Sequence, residues 1–181
     1  MDKTIGFVVL LLIGLSSCVV QGLTNDFGKL DESEKAKILP FEGFSAAKSG
    51  YIFEINAKDL REELKQHEKS MVYFFSNGCS ATGCKPLADY IHYANQHDYR
   101  LFLVMNGYAN LSSTLDQNVD APLFAIDREY YNTRLSYKYS RYFENELMSL
   151  PIKTKQDNYR GNIYLFEGDQ LINIWLSLPE E

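Results

Sequence analysis

KSMVYFFSNGCSATGCKPLADYIHYA, residues 69–94 of the 181-residue chain, decides how the rest is read. MVYFF (71–75) is a continuous apolar run, the mark of a strand buried on both faces. Pro86 suits the first turn of a helix, and Leu87, Ile91 and Ala94 then share one face, so a helix is expected to run to about His97-Asp98. Cys79 and Cys84 lie in the connection between strand and helix, and the chain has only one other cysteine, Cys18. The carboxyl end of strands in an open α/β sheet is where sites are built. In an unbroken helix, residues five apart point about 140° from each other, with Cα atoms too distant for a disulfide. The two sulfurs therefore meet only if Ser80-Ala81-Thr82-Gly83 is not helical, with Gly83 supplying the bend. The spacing leaves three roles open: a reactive pair, a metal clamp or a staple for the loop. A helix N-terminus and a nearby cation both favour the thiolate, and Lys85 supplies the cation.

Working outward, strands and helices alternate. YIFEI (51–55) reads as a strand, and Asn56 caps a helix over 56–69 with Leu60 and Leu64 one turn apart. RLFLVM (100–105) and PLFAI (122–126) are further buried strands. Residues 137–150 form a helix with Tyr139, Phe143 and Leu147 spaced by four. NIYLF (162–166), a Gly168-Asp169 turn and LINIWLSL (171–178) close the chain as a hairpin. The fold class expected is α/β: a central, mainly parallel sheet with a closing antiparallel hairpin and flanking helices.

The N-terminal region differs in kind. GFVVLLLIGL (6–15) is about the length of a secretory h-region and too short to span a bilayer. Leu15-Ser16-Ser17-Cys18 follows it and resembles the lipobox of bacterial lipoproteins, which makes Cys18 the lipidation site. The alternative is ordinary cleavage, for instance after Gly22, giving a secreted protein. The domain reading is a lipoprotein-type signal peptide over 1–17, a flexible tether over 18–49 and a folded domain over 50–181. Outside the cytosol a neighbouring cysteine pair is expected to be oxidised. A net charge of −6 without a lysine or arginine cluster argues against nucleic acid as a partner.

The stretch 69–94 resembles the strand, cysteine loop and helix of thioredoxin-like proteins, in particular the membrane-tethered TlpA and redoxin branch of bacterial envelopes. RLFLVM, PLFAI, the tyrosine-rich helix and the hairpin NIYLFEGDQLINI follow in that family's order, so the resemblance covers roughly 51–178. It differs in having four residues between the cysteines rather than two, and Gly78 in place of the usual tryptophan. Tyr159-Arg160-Gly161-Asn162 stands where the family has a cis-proline. The resemblance implies a membrane-tethered thiol–disulfide oxidoreductase that needs no cofactor and acts on exported proteins bearing thiols or disulfides. Cys79 would attack and Cys84 resolve, supported by Lys85 and by close backbone approach at Gly161. It also implies a location in the bacterial cell envelope, lipid-anchored and facing the periplasm. The alternative is a non-catalytic binding or scaffold module of the same fold whose disulfide is structural.

Other arrangements fit less well. A peroxiredoxin cysteine needs an upstream proline, and none lies between Pro40 and Pro86, although Ser76 stands three before Cys79. A copper site would need a distant histidine, whereas His67, His92 and His97 all lie in or near helices. Asp89 and Asp127 are candidate acids for thiol exchange but read more simply as helix-end or surface charges. Tyr130, Tyr131, Tyr137, Tyr139 and Tyr142 read as a sheet-covering segment with phenol tips in water.

Overall fold

The computed structural model describes residues 21–79, 84–155 and 160–179. The signal peptide expected over 1–17, the lipidation site Cys18 and the bend over 80–83 lie outside the described residues. No helix among the described residues is long and apolar enough to cross a membrane.

The sheet is built from β1 (Ile38–Leu39), β2 (Ile52–Ile55), β3 (Lys69–Phe75), β4 (Arg100–Met105), β5 (Leu123–Ile126), β6 (Ile163–Glu167) and β7 (Gln170–Trp175). Their spatial order is β1-β2-β5-β4-β3-β6-β7. The first five strands in that row pair in parallel, while β6 joins β3, and β7 joins β6, antiparallel. This is the mainly parallel centre and closing antiparallel hairpin expected from the sequence. The helices are α1 (Glu32–Lys35), α2 (Ala57–Leu64), α3 (Leu87–Gln96), α4 (Leu111–Leu115) and α5 (Ser136–Leu147).

Burial on both faces follows from alternation along the apolar strands. Val72 and Phe74 of β3 join Phe102, Val104, Phe124 and Ile126 on one face, under Leu60 and Leu64 of α2 and Tyr139, Phe143 and Leu147 of α5. Met71, Tyr73 and Phe75 point the other way, with Leu103, Met105 and Leu123, under Leu87, Tyr90 and Ala94 of α3. The Tyr73 and Tyr90 rings stack at 3.7 Å between centroids. Asn56 caps α2 as its sequence suggests, its side-chain oxygen accepting from the Asp59 N–H at 2.9 Å. The helix then ends at Leu64, shorter than the 56–69 expected.

The stretch expected as a flexible tether is different from Gly22 onward. It carries α1 with a reciprocal capping box between Asp31 and Glu34, then β1, and it buries Asn25, Asp26, Leu30 and Phe44. The Tyr108 N–H donates to the Asn25 carbonyl at 2.8 Å, the Ser136 N–H to the Leu23 carbonyl at 3.0 Å, and the Ser136 hydroxyl to the Gly22 carbonyl. Few apolar residues suffice here because each finds a slot: Phe44 packs edge-on against Phe102, and Ile38 pairs with Ile52. Burial acts to raise Asp26, but hydrogen bonds from the Gly22 N–H, Lys29 and Thr24 outweigh it and hold the carboxyl below its ordinary value.

Candidate functional site

The parallel strands β2, β3, β4 and β5 end on one rim, and the cysteine loop leaves from it. β3 stops at Phe75, and the chain turns through Ser76, Asn77 and Gly78. Asn77 is buried and fixes this turn: its amide donates to the Gly107 carbonyl at 2.7 Å, and its oxygen accepts from the Thr114 hydroxyl at 2.7 Å. The Asn106 amide donates to the Ser76 hydroxyl at 2.9 Å, binding the ends of β3 and β4 together. Gly78 takes a positive φ of 65°, and a Cβ there would approach the Asn110 side chain to 3.0 Å, so any side chain at this position would be strained and crowded.

Cys79 and Cys84 are joined by a disulfide, their Cα atoms 6.0 Å apart, within the ordinary range. Cys79 is exposed and Cys84 half-buried. The helix that follows begins only at Leu87, with Pro86 as its N-cap, so Cys84 precedes the first helical residue by three positions. Influence of a helix terminus fades within a turn, and here it favours Cys84 over Cys79. The Leu87 N–H is already taken by the Gln117 side-chain oxygen at 2.8 Å, a cap supplied from a distant loop.

The disulfide opens on a cleft of about 430 Å³. Phe74, Phe75 and Leu176 give it apolar walls; Ser76, Asn106, Asn162 and Glu144 are its polar members. The side-chain oxygen of Asn162 is buried without a partner among the described residues. Glu144 projects from α5 and is the acid of this cleft. Burial pushes its carboxyl up, against an opposing hydrogen bond from the Tyr164 phenol, to about 7. A carboxyl so raised lines the same cleft as the two sulfurs.

The other sequence candidates are placed elsewhere. Lys85 lines a separate recess of about 260 Å³ with Asp89 and His92 and is not among the residues of the disulfide cleft. Gly161 does make a close backbone approach, but to its own chain: at φ 133°, a Cβ there would run into the Trp175 carbonyl. Its open face is thus filled by β7 and is not free for a substrate backbone. Asp127 is spent on the turn after β5, its carboxylate accepting from the Glu129 and Tyr130 N–H groups. Asp89 lies in the first turn of α3, exposed. Of the crowded tyrosines, Tyr130 and Tyr137 are exposed, whereas Tyr131 and Tyr139 are buried and their hydroxyls bonded to Glu146 and the Asn106 carbonyl. Glu144 went unnoticed in the sequence because it stands beside the Tyr139-Phe143-Leu147 stripe. Its position four after Ser140 and four before Met148, on the flank of that stripe, was the available signal.

The chain matches no family model, and neither a curated protein nor a solved structure is significantly similar to it. Fold and site together define a mixed α/β protein with a disulfide at the carboxyl rim of a mainly parallel sheet.

Proposed function

We propose that the protein is a thioredoxin-like thiol–disulfide oxidoreductase that exchanges disulfides with exported proteins through Cys79 and Cys84. The observation that carries the reading is the company the disulfide keeps: an exposed Cys79, at the end of a central strand, shares a cleft with a carboxyl that titrates at about 7. In the oxidised form, a substrate thiolate attacks the Cys79 sulfur, and the bonding pair leaves with Cys84. The departing Cys84 thiolate takes a proton that protonated Glu144 can supply. A second substrate thiolate then attacks the substrate sulfur of the mixed disulfide and frees Cys79. Two electrons pass from the substrate dithiol to the protein, and every step runs equally in reverse.

The setting belongs to the same proposal: export by the segment over 1–17, and a lipid on Cys18 holding the protein to an envelope membrane, facing the periplasm. A second reading is a non-catalytic binding module whose disulfide fastens the rim loop. Gly161 favours it, because the place of the family's substrate-holding proline is sealed by Trp175. Insulin reduction by the full chain with dithiothreitol, beside Cys79→Ser and Glu144→Gln, separates the two. Exchange requires turnover in the native protein and none in Cys79→Ser. An inactive native protein with a lowered melting temperature in Cys79→Ser would leave only the binding module.

A further inference from the structure

We infer that Leu23, Phe27 and Tyr137, with Arg134 and Lys138 beside them, form a face that seats the protein on an anionic phospholipid bilayer and fixes which way it is turned. This rests on the reading of Cys18 as a lipid anchor and deepens it. The three apolar side chains are 54%, 40% and 58% exposed. The fold brings them together from distant parts of the chain. The Ser136 N–H donates to the Leu23 carbonyl at 3.0 Å, which sets Leu23 beside the first turn of α5, where Tyr137 stands. The Tyr108 N–H then holds the Asn25 carbonyl at 2.8 Å. Phe27 lays one edge on the Tyr108 ring, with 5.8 Å between centroids, and leaves the rest of its phenyl in water. Exposed apolar surface gathered in one place is a contact surface.

Two observations name the bilayer as what it contacts. The first is position: Cys18 lies five residues before Leu23, so an acyl chain there enters a membrane next to this face. The second is charge. The chain carries −6, yet residues 132–143 hold Arg134, Lys138 and Arg141 and no acid. Arg134 is exposed, and neither it nor Lys138 has an ion-pair partner among the described residues. Lys29 is spent on Asp26 at 2.9 Å and adds no net charge. Anionic headgroups repel an acidic protein in most orientations and attract it in the one that presents its few free cations. Tyrosine suits the headgroup level, its ring covered and its hydroxyl wet, and the Lys138 Nζ lies 6.0 Å from the Tyr137 ring centroid.

The test uses the full chain, isolated from the membranes of cells that process lipoproteins. It is reconstituted in vesicles of phosphatidylethanolamine with roughly 30% phosphatidylglycerol, which supply the anionic surface. Hydroxyl-radical footprinting, read by mass spectrometry, gives the oxidation of Phe27 and Tyr137 relative to Ile172. Ile172 is the internal control: it is 51% exposed and lies on β7 where the hairpin pairs with the start of β3, far from the rim that carries Tyr108. The native ratio should lie at least ~5-fold below that of Arg134→Glu/Lys138→Glu, a factor of the size that interfacial cations supply. Native protein in vesicles of phosphatidylcholine alone should rise toward the variant's ratio, a comparison that needs no substitution. Equal ratios in all three samples, with the protein still floating with the vesicles, would overturn the inference and leave the anchor standing. Protection that follows protein density rather than lipid charge would assign the face to a second copy and overturn it too. Recovery of the native chain in the soluble fraction would remove the anchor itself, and the inference with it.

Discussion

Replacing Glu144 by glutamine isolates the half-buried carboxyl of the disulfide cleft. The carboxyl is raised from an ordinary 4.5 to about 7, chiefly by burial. Between those values the folded protein holds a proton that the unfolded chain has released. The unfolded state therefore binds fewer protons, and stability falls as pH rises through this window, levelling off above about 7. At about 1.4 kcal/mol for each pH unit of displacement, the loss amounts to at most about 3 kcal/mol. Glutamine keeps the shape and an oxygen for the Tyr164 hydroxyl, and it does not titrate. Urea denaturation of the oxidised full chain from pH 4 to pH 8.5 provides the measurement. Groups common to both proteins cancel in the difference; Asp26, whose lowered value makes its stabilisation fade toward acid pH, is one of them. The variant should match the native protein near pH 4 and exceed its stability by up to about 3 kcal/mol at pH 8. A stability difference that is flat across the range, or a variant weaker at pH 8, would refute the claim that this carboxyl is held protonated by burial.

Cys84→Ser, mixed with an oxidised peptide, should accumulate a mixed disulfide through Cys79 visible by mass spectrometry, while Cys79→Ser should accumulate far less, because the exposed sulfur is the one that reaches and attacks the peptide disulfide, releasing a peptide thiolate. Gly161→Ala should lose about 2–4 kcal/mol in chemical denaturation, since it combines a positive φ with a clash against the Trp175 carbonyl. Unchanged stability there would mean that the β6–β7 approach is looser than described. Thr114→Val should cost about 1–3 kcal/mol by leaving the buried Asn77 oxygen without its donor. Cys18→Ala should move the protein from the membrane to the soluble fraction of cells that process lipoproteins, and an unaltered distribution would remove the lipid anchor from the proposal.

The sheet was readable because its strands are unbroken apolar runs: MVYFF, RLFLVM and PLFAI admit no polar face, so they had to lie centrally with helices on both sides. Helix α2 was readable from Asn56, whose cap is a local contact three residues long. Strand β1 was not, because two residues have no period, and Ile38 and Leu39 become a strand only through their pairing with Ile52 and Phe53. The packing of 22–30 escaped notice for the same reason: its partners Tyr108 and Ser136 are about a hundred residues away in sequence. At the site, the cysteine pair announced itself by spacing, and the disulfide joins the two. The acid beside them did not. Glu144 gains its character from burial and from Tyr164, both set by how α5 lies on β6, and nothing adjacent in the chain records that. Gly161 was noticed for the right property, nearness of another backbone, but only the hairpin register shows that the neighbour is Trp175.

The early ordering of the chain would make the proposed lipid anchor a short leash. Were Cys18 acylated as proposed, the bond of Gly22 to Ser136 would leave only four peptide steps between anchor and body, a reach of at most about 14 Å. Gly22 also borders a recess that shares Ser76 and Asn106 with the disulfide cleft, so the proposed leash would be fastened at the disulfide end of the molecule. A protein held this way would work crouched against the bilayer and meet clients as they emerge from it, with no thirty-residue stalk to sweep the space beyond.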